Sequence, residues 1–459
     1  MIQKNISHYS KLFTEYTELR IQENRDLGIV MVNGDIVKNA KAAVSGVSAR
    51  VYKDGVWGFS SNPDSSDEKI KQVIKSARDN AVFLNSKEKR KAGGLPMANA
   101  VSENDFSTKK HKKSQKDLIE FIKEVDIHIV KKYPKLFSRT IALSCLDMEK
   151  SLVTSCGSLS YSMIPRAILY ITLSVEKNKE PIELSDVYGG FGEFEDNFSD
   201  PNLLFKKIDA QYEHLLKKKE GVYPKAGIKD CILDAELSGI LAHEAIGHTV
   251  EADGVLGGSI AGEYLNQKVA SPLINLVDFA NTALGKLCPV PVFIDDEGTK
   301  AKDAVIIENG ILKSFLHNKE TAKHFNMGLT GNARAFQFSD EPIIRMRNTA
   351  ILPGKDKLEE MISSIDDGYY LIRPSNGEAD STSEFMFGVT LGYEIKNGKL
   401  GKALRNTTIS GIAFDVLKTV DMISDEMNWS CSGFCGKKQW IPVGFGGPAI
   451  KCKVNIGGK

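Results

Sequence analysis

The sequence predicts an α+β protein, with an N-terminal α/β region followed by a C-terminal domain built on a large, mainly antiparallel sheet. Two observations support that class. Strand-forming runs are joined by short turns, Asp54-Gly55, Asn309-Gly310 and Asn397-Gly398, of the kind that closes antiparallel hairpins. Other segments repeat their apolar residues at helical spacing. At 459 residues, two or three structural units are expected. We place the main division between 1–220 and 221–459, with room for an internal boundary near 86–116.

Taken in chain order, residues 16–59 read as strands. Val47, Ala49 and Val51 alternate with small or polar neighbours, and Lys53-Asp54-Gly55 supplies a hairpin turn. Residues 66–84 form a helix, with Ile70, Val73, Ile74, Ala77 and Ala81 at helical spacing after an Asp67 start. A basic stretch follows, with Lys87, Lys89, Arg90 and Lys91 and then Lys109, Lys110, Lys112 and Lys113. It has few interleaved aromatics, so it reads as a solvated loop before a helix near 116–131 rather than as a nucleic-acid patch. Residues 139–175 are rich in β-formers around a turn at Gly157. Gly189-Gly190-Phe191-Gly192 reads as a glycine-rich loop, and it lacks the surrounding motif of a phosphate cradle. A helix at 201–219, a strand at 229–233 and a helix at 235–250 come next, the last anchored by Leu237, Ile240, Leu241 and Ile246. Beyond it, Gly257-Gly258 and Gly262 suggest a flexible loop. Strands are expected at 290–295, at 304–315 and at 388–404.

Charge and cysteine usage exclude several classes. A formal net charge of +1 gives no global reason to bind nucleic acid or an anionic membrane. The first residues turn polar too soon for a secretory signal, and no apolar run approaches the roughly 20 residues of a membrane span. Seven scattered cysteines make a poor disulfide framework, which fits a reducing, cytoplasmic setting. Cys431 and Cys435 could pair as a redox couple, although such pairs usually stand closer.

The segment Leu241-Ala242-His243-Glu244-Ala245-Ile246-Gly247-His248 carries the most chemistry. Two histidines four apart on a helix stand roughly 40° from each other, and five apart they would splay by about 140°. Here they are five apart. Joint chelation therefore requires an extra residue in the turn, as a π-bulge provides, and Gly247 would ease that distortion. Neutral imidazole is a good zinc ligand, and Glu244 beside it is placed to accept a proton from metal-bound water attacking a carbonyl. The alternative is a buried helix with two hydrogen-bonded histidines. A catalytic zinc normally takes three protein ligands, and Cys435, followed by Gly436 and flanked by Lys437 and Lys438, offers a third donor in an electropositive setting.

Together with these elements, Asp295-Asp296-Glu297-Gly298-Thr299, Gly331-Asn332-Ala333-Arg334, Arg345-Met346-Arg347-Asn348-Thr349, Pro353-Gly354 and Pro442-Val443-Gly444 resemble the ordered landmarks of the TldD/PmbA metalloproteases. These are also called microcin-processing proteins or modulators of DNA gyrase. The chain looks like the TldD type, which carries the zinc motif that the PmbA (TldE) type lacks. By that resemblance His243, His248 and Cys435 would bind Zn2+ and Glu244 would be the general base. The resemblance further implies small or unfolded peptide substrates and a homodimer, or a heterodimer with a PmbA-type homologue. Two positions depart from the pattern: Ala335 follows Arg334 where a second arginine is common, and Ser383 stands where glycine commonly precedes Glu384.

Other candidates have plainer alternatives. Glu251 and Asp253 could orient a ligand imidazole or simply form a polar helix end. Asp295, Asp296 and Glu297 read as a turn at a strand end rather than a hard-metal site. Arg334 and Arg345 could contact substrate or support the site, and Arg347 could do the same, with structural pairing the plainer role for all three. His317 and His324 read as ordinary histidines. A non-enzymatic regulatory binding protein and a cysteine hydrolase using Cys435 are the rival functions.

Overall fold

The computed structural model describes residues 2–89, 93–430 and 432–458. Arg90, Lys91 and Cys431 lie outside them, so the redox-pair reading and part of the basic stretch concern residues not described. The fold is α+β.

The first sheet orders its strands Val56–Asn62, Asp35–Lys53, Tyr16–Val32, Ser138–Thr154 and Leu159–Lys177. Val101–Asp105 pairs with the last in parallel, and Glu180–Phe191 pairs with it antiparallel. Strand alternation gives this sheet two unlike faces. On Tyr16–Val32 the odd positions Leu19, Ile21, Ile29 and Met31 are buried in apolar clusters. Helix Asp67–Glu88 joins one cluster through Ile70, Val73 and Ala77, and helices Gln115–Lys132 and Pro201–Lys219 join the other. The even positions Glu18, Arg20, Gln22 and Asn24 are also buried. They face the second half of the chain: Arg20 donates to the Gln337 and Asp340 carbonyls, and Gln22 and Asn24 donate to that of Phe336.

In that second half, five strands close on themselves. Asp367–Ala379 pairs with Gly227–Leu233 in parallel, and antiparallel contacts continue through Ile450–Ile456, Thr407–Ile412 and Glu384–Lys396 back to Asp367–Ala379. A second sheet runs Ile311–Leu312, Ala304–Glu308, Leu276–Phe279, Asn348–Ile351, Gly444–Gly447 and Asn428–Ser430. The motif helix is buried between the two, with Leu237, Leu241, Ala245 and Ile246 in one apolar cluster with Leu371, Phe385 and Ile351.

Three expectations are corrected. Residues 290–295 form no strand, because Pro289 and Pro291 cannot donate to a ladder. Gly189 and Gly190 belong to strand Glu180–Phe191 rather than a loop, and Phe198 packs against Gly189 where a side chain would stand. Past the motif the chain folds into helix Ala252–Leu256 and a 3-10 turn at Ile260–Glu263 instead of an open loop.

Candidate metal centre

The motif helix begins at Asp234, whose carboxylate accepts from the Glu236 and Leu237 amides and so caps it. It runs as an α-helix over Ala235–Ile240 and then widens into a π-helix over Leu241–Gly247. The His248 amide donates to the His243 carbonyl at 3.2 Å, one residue further back than in an α-helix. That extra residue cancels the splay of a five-residue spacing, and the two imidazole centroids stand 5.3 Å apart. Gly247 serves the turn by making room rather than by adopting a special backbone angle: an added Cβ would lie 1.9 Å from the Met346 sulfur.

Cys435 comes from the other end of the chain, on the short ladder between Phe434–Cys435 and Ile441–Pro442. Its Sγ stands 3.1 Å from His248 Nε2. One donor atom from each of His243, His248 and Cys435 lies within 4.8 Å of the others, the arrangement a tetrahedral zinc needs on three of its corners. Fit to a metal is supported by His243 itself, which is 2% exposed and, apart from its approach to the Cys435 thiol, finds no hydrogen-bond partner for either ring nitrogen among the described residues. A buried polar group left without a partner is costly, and a bound cation would satisfy it.

The surroundings favour ligation. Burial pushes the Cys435 thiol up, but its contacts with His243 and His248 outweigh that and bring it down to about 3, which favours the thiolate form a metal binds. Burial opposes charge on His248, yet Glu251 and Cys435 raise it well above its ordinary value, so a metal bound there would displace a proton from the ring. Glu251 Oε2 meets His248 Nδ1 at 2.8 Å and fixes the ring with Nε2 toward the sulfur. The electropositive setting expected from Lys437 is offset by the acids it meets. Its ammonium binds both Asp253 oxygens at 2.8 Å and Glu251 at 3.1 Å, which ties the Cys435 turn to the end of the motif helix.

Glu244 stands 3.6 Å from His248 Nε2 and, with both histidines, lines a cleft of roughly 990 Å³. Glu236, Arg373 and Trp440 line it too, and sequence reasoning singled out none of them. Arg373 is bracketed by Asp186 of strand Glu180–Phe191 and Glu236 of the motif helix, carboxylates far from it in sequence and so invisible to local spacing. Arg334 and Arg345 do not line the cleft. Both are buried and donate to backbone carbonyls, Arg334 to Met346 and Pro442 and Arg345 to the Cys435 turn. Arg347 pairs with buried Asp278.

The acidic run forms a turn and serves as a junction. Asp295 accepts from the Thr299 and Ala333 amides, Asp296 pairs with Lys150, and Glu297 meets Arg50 of the first sheet. His317 is buried against Thr321 and Met327, and burial lowers it to about 4, whereas His324 is exposed at the end of helix Lys319–His324.

The chain also matches known proteins. Residues 226–458 match the PmbA/TldA metallopeptidase C-terminal domain, and residues 17–81 match the PmbA/TldA metallopeptidase domain 1. A metalloprotease of Methanocaldococcus jannaschii is 33% identical over 97% of this chain and 98% of its own. A zinc metalloprotease TldD homolog of Saccharolobus solfataricus is 32% identical over 90% of each. Among solved structures, TldE from Thermococcus kodakarensis superposes with a TM-score of 0.76 at 19% identity, covering 99% of both chains. A proposed modulator of a DNA gyrase from Thermotoga maritima reaches 0.79 at 19% identity over 96% of both. At such identities the two structures speak to the fold alone.

Proposed function

Because the chain belongs to the PmbA/TldD metallopeptidase family, we propose that it is a zinc-dependent peptidase that hydrolyses small or unfolded polypeptides. The observation that carries this reading is the π turn, which sets two imidazoles beside a thiolate while leaving Glu244 on the cleft wall. His243, His248 and Cys435 would hold the metal. A zinc ion supplies Lewis acidity, polarising a scissile carbonyl and acidifying water. Glu244 accepts the proton of the attacking water and delivers it to the leaving amine. Glu251 keeps His248 oriented, and Lys437 holds Glu251 and Asp253 in place.

The cleft also offers main-chain recognition. Strand Asp367–Ala379 keeps its antiparallel partner as far as Ala379, whereas its parallel partner covers only residues 368–371. Residues 374–379 line the cleft, and among the described residues no strand pairs with their second edge. An extended peptide could add there as a strand, which gives affinity with weak side-chain preference. We further propose a reducing, cytoplasmic setting and a dimer, with itself or with a PmbA-type homologue, that encloses the cleft. Among the described residues, no helix is long and apolar enough to cross a membrane.

A cysteine hydrolase draws support from the 3.1 Å contact of Cys435 and His248. Against it, the Cys435 side chain is 2% exposed and is not among the side chains lining the cleft, a poor position for a nucleophile. A purely regulatory binding protein has no use for Glu244 beside the histidines. Metal analysis of the purified protein discriminates: the parent and Glu244→Ala should carry zinc, His243→Ala and Cys435→Ala should not, and Glu244→Ala should lose at least about 10²-fold in cleavage. Zinc lost from Glu244→Ala with turnover restored by added metal would reverse the assigned roles.

A further inference from the structure

Resting on the metal-centre reading above, we propose that Arg345 is the positioning residue for the Cys435 thiol, holding the 435–439 turn in its ligating conformation before any metal arrives. The turn has little to hold it in place by itself. Its ladder is two residue pairs long, Gly436 and Lys438 are exposed, and Lys438 takes a left-handed φ of 55°. Yet the thiol at its base is buried and stands beside an imidazole.

Lys437 anchors the turn by its side chain to Glu251 and Asp253, and Arg345 holds its backbone. The Arg345 side chain is fully buried, and its guanidinium gathers three carbonyls of the turn: Cys435 at 2.6 Å, Lys437 at 2.9 Å and Gln439 at 2.8 Å. The Arg345 backbone is fixed in turn, its amide donating to the Asn332 carbonyl and its carbonyl accepting from the Asn332 side chain. A planar fork with five donors can serve three carbonyls at once, which a lysine ammonium on a flexible stem cannot reproduce in the same geometry. Two residues along, equally buried Arg347 is the internal contrast. It is neutralised by Asp278 and donates to carbonyls of Asp278, Thr330 and Lys302, with no bond to the Cys435 turn. Both arginines stabilise the second half of the chain, but only Arg345 bonds directly to the segment carrying the third donor. Without the Arg345 bonds, more of the cost of ordering the turn backbone would fall on metal binding.

Arg345→Lys, Arg347→Lys and the parent should be compared by zinc affinity in chelator competition, and by the rate at which iodoacetamide alkylates Cys435 in zinc-free protein, read by peptide mass spectrometry. Circular dichroism and thermal unfolding confirm that each variant is folded. Arg345→Met is the harsher variant, for use if it folds. Zinc affinity should fall about 10- to 100-fold in Arg345→Lys, the range typical of residues that orient a ligand. Cys435 alkylation should rise at least several-fold. Arg347→Lys should leave both within about twofold even where its unfolding midpoint drops. Equal losses in the two lysine variants, or unchanged affinity and alkylation in Arg345→Lys, would overturn the proposal. A parent that binds no zinc would sink the metal-centre reading instead, and the alkylation rates would still decide whether Arg345 holds the thiol in place.

Discussion

Gly247 shows what a single residue contributes here. The five-residue spacing of His243 and His248 announces a π turn from sequence, but the reason for glycine next to the second histidine lies outside the motif, in the Met346 sulfur that fills its side-chain space. Gly247→Ala must move either the helix or Met346. Overpacking of this kind costs about 1–3 kcal/mol, and the displacement falls on the turn that aligns the imidazoles. We expect a lower denaturant midpoint together with weaker zinc retention. Unchanged zinc affinity in a destabilised variant would mean that Met346 yields and the turn does not. The same limit on local reading applies to Lys437. The sequence shows a lysine two residues after a cysteine, and it cannot show that Glu251 and Asp253 claim its ammonium.

At the scale of elements, the free edge of strand Asp367–Ala379 makes a prediction about substrates. If residues 374–379 bind peptide by main-chain pairing, successive peptide amides point alternately toward the edge and away from it. Single backbone N-methylation along a good substrate should therefore raise KM at alternate positions, while side-chain changes at the same positions matter little. A uniform response, or a stronger response to side chains, would argue against strand addition. This edge was not legible in advance. Its antiparallel neighbour was, with the Asn397-Gly398 turn that leads on to Lys399–Ala403, because period-two alternation and turn chemistry are local, but strand Asp367–Ala379 itself was not read and an unpaired edge is defined by where another strand stops. Helices 67–88, 115–132 and 201–219 were legible for the same local reason. Residues 290–295 were misread because their valines suit a strand while Pro289 and Pro291 forbid its ladder. The junction of Glu18, Arg20 and Arg50 with the 295–342 region escaped notice because each half of it looks like ordinary surface polarity until the halves meet.

For the molecule as a whole, stability should carry the signature of buried charge. Lys218 is 2% exposed and donates to the Glu183 carbonyl, and burial lowers it from an ordinary 10.5 to about 8. Between those values the unfolded chain holds a proton that the folded chain has released. The Lys218 contribution to stability therefore rises with pH across that window and is least favourable below about 8, where the group is charged in both states. Lys218→Met removes this component, so its stability relative to the parent should be greater at pH 7.5 than at pH 10 in urea unfolding, and a constant difference would contradict the linkage. Access to the cleft gives the other whole-molecule test. Glu244 and the histidines line a cleft of roughly 990 Å³, and strand addition at its unpaired edge, as proposed, would accept only backbone that is already extended. A compact protein hides its backbone amides in its own hydrogen bonds, and unfolding enough chain to fill the cleft would cost much of its stability. Denatured protein and short peptides should be cut at many sites with little side-chain preference, while the same protein in its native fold should survive. If gel and mass-spectrometric digests showed native and denatured forms cleaved at equal rates, or one sequence-specific cut in both, neither an enclosed cleft nor main-chain recognition could stand.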